Sequence, residues 1–302
     1  MPHTPRRTHE VHLIDASPYV FRAYFSLPET LTDPSGRPVN AVQGFAGFLL
    51  QYIANQRPTH LGLCFDEALT SSFRNDLYPA YKAQRELPPE GLEWQLVTCR
   101  RLAAALGAAT YVDGRYEADD LLGTLAAQLS RKGHRSVVVS NDKDLTQLVD
   151  ARTDVFDVVR ERRYDADLVR EVHGVWPGQV PDLLGLAGDA VDNIPGVPGV
   201  GLKTARALLG AFADMDAVYA DLDAVAALPL RGAASVAARL DAGRELAYLS
   251  RELATIARDA PATARLPELK LTRPDRDALD PLLAELGFRR LAERIPARWD
   301  RT

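Results

Sequence analysis

Three short apolar runs in this 302-residue chain end in aspartate or reach it within a few residues, and no other feature narrows the possible folds so far. Asp15 closes Val11-His12-Leu13-Ile14, and Asp66 closes Leu61-Gly62-Leu63-Cys64-Phe65. Asp142 and Asp144 follow the β-branched run from Ser136 to Val139. Helical patterns lie between the runs, over Ala41 to Ile53, Trp94 to Leu106 and Ala118 to Leu129. The last of these sets Leu122, Leu125 and Leu129 on one face, and Gly107 stops the one before it. Strands alternating with helices predict an α/β fold, a mainly parallel sheet with helices on both faces. In such a sheet the carboxyl ends of the strands share one edge, where ligands bind. One aspartate after a strand is an ordinary turn or capping residue; three strands delivering acid to one edge need another explanation.

Two further groups of acids add to this edge. Glu117, Asp119 and Asp120 open the helix that begins at Ala118. Helix dipole and capping account for one or two acids there. Positions 117 and 120 share a helix face and 119 points away, so all three approach one site only if Glu117 lies in the turn before the helix. Asp189 and Asp192 are spaced to lie on one side of a helical turn. Two carboxylates about 4 Å apart repel by about 4 kcal/mol at an effective dielectric near 20, so such a cluster implies cations. The donors are hard oxygens without Cys or His, which suits two or more Mg²⁺ or Mn²⁺ ions rather than Zn²⁺. A pair of such ions about 3.5–4 Å apart is suited to phosphodiester chemistry.

The most specific string runs from Ile194 to Ala205, a glycine-rich turn leading into a helix start with Lys203 and Thr204 in its first turn. Glycines at 199 and 201 let a backbone approach a phosphate, and the helix N-terminus offers free N–H groups. The same carbonyls suit a monovalent cation such as K⁺. It is not a nucleotide-binding P-loop, because the spacing of that motif is absent. The polar, basic segment from Ser71 to Leu92 is long for a connection between a strand and a helix. Its Arg74, Tyr81, Lys82 and Arg85 are suited to gripping a single strand, with the aromatic ring stacking on a base. Arg22 lies in the helix after Asp15, within reach of the same cleft. Arg289, Arg290, Arg294, Arg298 and Arg301 read as a solvated basic tail.

The net charge of −5 does not exclude a nucleic-acid partner. Setting the nine candidate ligands aside, 41 minus 9 leaves 32 acids against 36 Lys and Arg. Strand signals weaken after Trp176, which predicts an α/β core over residues 1–176 and a helical region over 177–302. Cys64 and Cys99 sit in apolar or helical surroundings and read as buried thiols. The amino terminus lacks the apolar stretch of a secretory signal and no run is long enough to span a membrane, which predicts a cytoplasmic protein. A monomer is the default.

Together these motifs resemble the 5′-nuclease (flap endonuclease) family, most closely the stand-alone relatives of the N-terminal nuclease domain of bacterial DNA polymerase I. The matching strings include LIDAS, FRAYF, SSFRNDLYPAYKAQR, YEADDLLGTLA, SNDKDLTQLV and VPDLLGLAGDAVDNIPGVPGVGLKTA, between about residues 11 and 259 and in the family's order. The resemblance implies a PIN-like α/β domain with a two-metal site, an arch at about 71–92, and a helix–three-turn–helix region that holds duplex DNA. It implies nine metal ligands: Asp15, Asp66, Glu117, Asp119, Asp120, Asp142, Asp144, Asp189 and Asp192. Lys82 and Arg85 match arch residues that position phosphate and stabilise charge, and Arg22 and Tyr81 match positions near the scissile phosphate. Gly199, Gly201, Lys203 and Thr204 match the duplex-binding hairpin. Departures are Glu86-Leu87-Pro88-Pro89 after Arg85, and Ala190-Val191 in place of a small polar pair. The chain ending at Thr302 predicts no polymerase or proofreading domain.

The expectation is therefore a Mg²⁺-dependent 5′-3′ exonuclease or flap endonuclease, with Asp142 essential for cleavage. Its partner is DNA with 5′ ends, flaps or junctions. One alternative is a non-catalytic DNA-junction binding protein of the same fold, against which the complete acid set argues. A second is a Mg²⁺ phosphotransferase or phosphatase, against which the hairpin argues.

Overall fold

The computed structural model describes residues 8–67, 72–85 and 89–299. The expectations resting on Glu86, Leu87 and Pro88, on Arg301 and on the first seven residues lie outside these. Six strands form one sheet in the order β3-β2-β1-β4-β5-β6. They are β1 (Glu10–Asp15), β2 (Leu61–Asp66), β3 (Ala109–Asp113), β4 (Arg135–Val139), β5 (Thr153–Asp157) and β6 (Arg162–Tyr164). The first five are parallel, and β6 runs antiparallel to β5. β1 sits in the middle, pairing Leu13 with Gly62 on one side and with Val138 on the other.

Both faces of the central strands are covered, which is why they read as continuous apolar runs rather than alternating ones. On one face Ile14, Leu61, Leu63, Phe65, Val137 and Val139 pack with α1 (Ser17–Ser26), α2 (Asn40–Gln56) and α4 (Leu92–Ala105). On the other, Val11, Leu13, Cys64 and Val138 meet Leu121, Leu122 and Leu125 of α5 (Ala118–Arg131). Cys64 and Cys99 are both buried and free. Between β2 and α4 lies the short α3 (Phe73–Leu77), capped by Ser72, whose hydroxyl accepts from the Arg74 amide.

After β6 the chain is helical: α6 (Ala166–His173), α7 (Val180–Ala187), α8 (Leu202–Ala211), α9 (Met215–Ala220), α10 (Leu222–Ala226), α11 (Ala233–Ala242), α12 (Arg244–Ala254), α13 (Leu266–Leu269), α14 (Arg276–Glu285) and α15 (Arg289–Arg294). Leu184 of α7, Leu208 of α8 and Leu253 of α12 belong to the same apolar cluster as β1 and α5. α14 turns back and buries Leu279, Leu282 and Leu283 against the opposite face, with α2 and α4. Among the described residues no helix is long and apolar enough to cross a membrane.

Candidate active site

The carboxyl edge of the sheet gathers the expected strand-end acids. Asp15 is 3% exposed at the end of β1, and its Oδ2 accepts from Ser140 Oγ at 2.8 Å. Ser140 follows β4 and also receives the Asp142 amide at 3.0 Å, so one hydroxyl ties the ends of two strands together. Asp142 Oδ1 in turn accepts from the Asp144 amide at 2.8 Å, which shapes the loop that carries both acids. At the end of β2 the Asp66 amide donates to Ser17 Oγ at 3.0 Å, and Asp66 Oδ1 accepts from the Ala118 amide at 2.8 Å. The second bond docks the start of α5 on the sheet edge.

That docking decides the fate of the next three acids. Glu117 is the N-cap of α5, with extended backbone, and lies in the turn before the helix. Its carboxylate accepts from Lys82 Nζ at 3.0 Å to each oxygen. Asp119 faces Asp15, Asp142 and Asp66 closely enough for all three to raise its carboxyl. Asp120 does not join them. It is fully buried, and Arg74 donates to its two oxygens at 2.8 Å each, while the Ala257 and Glu117 amides take the remaining lone pairs at 2.8 and 3.1 Å. Arg74, 2% exposed, also donates to the carbonyls of Leu253 and Thr255 at 2.8 and 2.9 Å. Two expectations are thereby corrected: Asp120 is an ion-pair residue rather than a metal ligand, and Arg74 holds α12 and α5 together rather than facing a strand of DNA.

Asp189 and Asp192 are not on a helix, contrary to the spacing argument. The amides and carbonyls of Asp189 and Ile194 bond reciprocally at 2.9 and 2.8 Å, closing a tight turn over 189–194. Gly196, at φ +63°, packs so closely on the start of this turn that a Cβ would lie 2.3 Å from the Gly188 amide. The turn still brings its acids to the edge. Asp189 accepts from Lys143 Nζ at 2.6 Å, and Asp192 accepts from Arg85, with Lys82 Nζ at 3.6 Å. Tyr81 is buried, and its hydroxyl donates to Glu117 at 3.2 Å, so its ring is not presented for stacking. Arg22 is exposed on α1.

The electrostatics follow from burial and crowding. Burial, then Asp66 and Asp142, hold the Asp15 carboxyl well above the ordinary carboxylate range. Asp119 is raised by burial and then by Asp15 and Asp142. Asp66 is raised by burial and by Glu117. Asp144 is pushed up to about 7 by burial and by Asp142. Glu117 goes the other way: burial pushes it up, but Lys82 and Arg74 together hold it below its usual value. Among the described residues no three acids or histidines are drawn around one metal centre. The donor set nevertheless fits a hard divalent cation in kind and in charge: all oxygen, and mutually repelling until positive charge is supplied. In this arrangement Lys82, Arg85 and Lys143 supply part of that charge. A cleft of about 630 Å³ opens beside the edge, lined among others by Ser140, Asp142, Lys143, Arg160, Arg162 and His173.

Beyond the turn lies the hairpin. Gly199 takes φ +79°, and its carbonyl accepts from Arg239 at 3.1 Å. Gly201 is the N-cap of α8, and Lys203 stands exposed in its first turn, with Thr204 half-buried beside it. Several residues that organise the edge escaped the sequence reading: Ser17, Ser140, Lys143, Asn75 and Asn193. Lys143 carried one signal, a cation between two acids; Ser17, Ser140 and Asn193 are small polar residues with partners distant in sequence, and Asn75 bonds within its own segment, to Ser72 and Tyr81.

Two family models match the chain, one for the 5′-3′ exonuclease N-terminal resolvase-like domain over residues 10–174 and one for the 5′-3′ exonuclease C-terminal SAM fold over residues 175–277. DNA polymerase I of Pseudomonas aeruginosa is 40% identical over 278 residues, covering 92% of this chain and 30% of that protein. The chain thus spans about a third of the length of the curated relatives it matches. Among solved structures, T5 5′-exonuclease with bound zinc superposes with a TM-score of 0.67 at 20% identity, covering 92% of this chain and 98% of that one. The bacteriophage T5 flap endonuclease in a pseudo-enzyme–product complex with DNA and metal ions superposes with a TM-score of 0.64 at 20% identity, covering 94% and 99%. At these identities the likeness establishes the shared PIN-like sheet and helical region.

Proposed function

The chain belongs to the 5′-3′ exonuclease family, and from that premise we propose that it hydrolyses phosphodiester bonds near DNA 5′ ends and single-strand/duplex junctions, using two or more Mg²⁺ or Mn²⁺ ions. The observation that carries this reading is the sheet edge, where Asp15, Asp66, Asp119 and Asp144 are each raised by burial and neighbouring acids. Together with Glu117, Asp142, Asp189 and Asp192 they would hold the ions. Bound divalent ions supply charge neutralisation at the leaving oxygen and lower the pKa of the attacking water.

The chain's own groups do the rest. Burial pushes the Lys82 ammonium toward the neutral form, and Glu117, Tyr81 and Asp192 together more than reverse this, so Lys82 stays charged. A phosphate arriving at the edge offers Lys82 and Arg85 oxygens in exchange for Glu117 and Asp192, freeing those carboxylates. The hairpin with Gly199, Gly201, Lys203 and Thr204 holds duplex DNA by its backbone, with K⁺ on its remaining carbonyls. Arg22, exposed on α1, faces the strand end. The relatives support the reading: one T5 structure holds divalent metal ions and another holds DNA and metal ions. The region boundary near residue 176 is part of this proposal, with most of the ion-holding acids on the α/β side, and Asp189, Asp192 and the duplex grip on the helical side.

A 5′-labelled flap duplex, incubated with Mg²⁺ or with EDTA, tests it. Mg²⁺-dependent products are expected, mononucleotides from exonuclease action or flap-length fragments from endonuclease action. Asp142→Asn is expected to lose at least about a thousandfold in rate while junction binding persists, in line with weakened hold on an ion whose charge stabilises the transition state. Tight junction binding with no cleavage of any 5′-ended substrate by the unaltered protein favours the non-catalytic alternative.

A further inference from the structure

Lys82 adopts a backbone conformation that long side chains avoid. Its φ is +53°, in the left-handed region. Such a residue persists only where its surroundings over-determine it, and these outliers collect at functional sites. Here the surroundings are specific. The Ala80 carbonyl accepts from Asn193 Nδ2 at 2.6 Å, the Tyr81 carbonyl accepts from Asn75 Nδ2 at 2.8 Å, and the Lys82 amide donates to the Asp192 carbonyl at 3.0 Å. Three consecutive residues are thus pinned from two directions, by α3 and by the 189–194 turn. The Asn75 amide has no freedom to flip, because its Oδ1 accepts from the Ser72 amide at 2.8 Å. Asn193 sits at φ +56°, a conformation asparagine tolerates better than most residues. The outcome is an ammonium held 3.0 Å from both oxygens of Glu117 and 3.6 Å from Asp192.

We infer that Asn75 and Asn193 are positioning residues for Lys82, a two-sided clamp on the carbonyls before it that aims the ammonium at the acid edge. The inference rests on the proposed nuclease role of Lys82. Neither asparagine reaches the acids itself: each spends its donor on the main chain. The clamp also draws on both regions of the chain, so Lys82 is aimed only when the turn after α7 is seated against the segment after α3.

Single-turnover and steady-state cleavage of a 5′-flap duplex in Mg²⁺ tests this, with Asn193→Gly, Asn75→Asp, Lys82→Ala and the double variants of each asparagine with Lys82→Ala. Asn193→Gly keeps the positive φ and removes only the donor; Asn75→Asp keeps the bond from Ser72 and loses the one to Tyr81. Each is expected to lower kcat about tenfold, with KM, duplex affinity in EDTA and Tm close to the unaltered protein. In the Lys82→Ala background neither substitution is expected to lower kcat further. A scaffold role predicts the reverse: the same loss in both backgrounds, or a loss of Tm and duplex affinity together, and either overturns the inference. Full kcat in both asparagine variants beside a slow Lys82→Ala overturns it alone, whereas full kcat in Lys82→Ala overturns the role of Lys82 and the clamp with it.

Discussion

Arg74 spends its donors on the protein itself, and its neighbour in the fold, Asp120, has no lone pair left for an ion. The pair is sealed from solvent, with side-chain exposures of 3% and 0%. Removing one partner from such a pair strands a charge, at a cost of about 3–5 kcal/mol. Arg74→Met is therefore expected to lower the urea midpoint by an amount equivalent to that cost, while duplex affinity of the folded protein stays unchanged. A loss of duplex affinity without loss of stability would return Arg74 to the DNA-binding surface. The sequence shows Arg74 only as a cation in a basic stretch; its partner lies 46 residues away and its carbonyl contacts about 180 away, beyond any local pattern. Asp119 and Asp120 make the same point from the other side. Adjacent in sequence, they differ by one step of helix phase, and that step sends one toward Asp15 and the other toward Arg74.

At the scale of elements, the central strands were legible because helices cover both faces and leave long apolar runs. β3, β5 and β6 were not, for reasons visible in their burial. β3 lies at the sheet margin, half-buried throughout, and β5 alternates buried and half-buried residues around two aspartates. Two acids three residues apart fit a helix and a turn equally well, and the reciprocal bonds of Asp189 and Ile194 make 189–194 a turn rather than the helix the spacing predicts. The turn before α8 was legible as a glycine-rich turn leading into a helix start, with Gly199 at a positive φ and Gly201 as the N-cap; its grip on duplex DNA is part of the proposed function. Its Lys203 is exposed and carries the prediction for this scale. Lys203→Ala is expected to weaken duplex binding across sequences and to reduce the slope of log affinity against log salt by about one. Anisotropy titrations with a labelled duplex between about 50 and 200 mM salt measure this. An unchanged slope removes Lys203 from the duplex grip.

For the whole molecule, the weakening of strand signals after Trp176 predicts an α/β core followed by a helical region, and the packing shows that the two share a core. Val11 and Leu13 of β1, Leu121 of α5, Leu184 of α7 and Leu208 of α8 lie in one continuous apolar cluster. A boundary that crosses a shared core is a boundary of topology and not of cooperativity. Urea unfolding is expected to show one transition, coincident by far-ultraviolet circular dichroism and by fluorescence of Trp94, Trp176 and Trp299, as two-state behaviour requires. A fragment of residues 1–176 is expected to lack a cooperative transition. Two separated transitions in the full chain would show that the regions fold independently.

The parallel sheet also sets a schedule for synthesis. β1 is made first, yet its partner on one side, β4, begins at Arg135, and the acids of the edge run from Asp15 to Asp192. At ribosomal rates of about 5–20 residues per second, roughly 10–35 s separate the first of those acids from the last. A growing chain thus carries the start of the proposed site long before it can complete it. On the proposed mechanism the acid set is complete only once Asp189 and Asp192, at the start of the helical region, have been made, so a chain that stops at the α/β core would not cut.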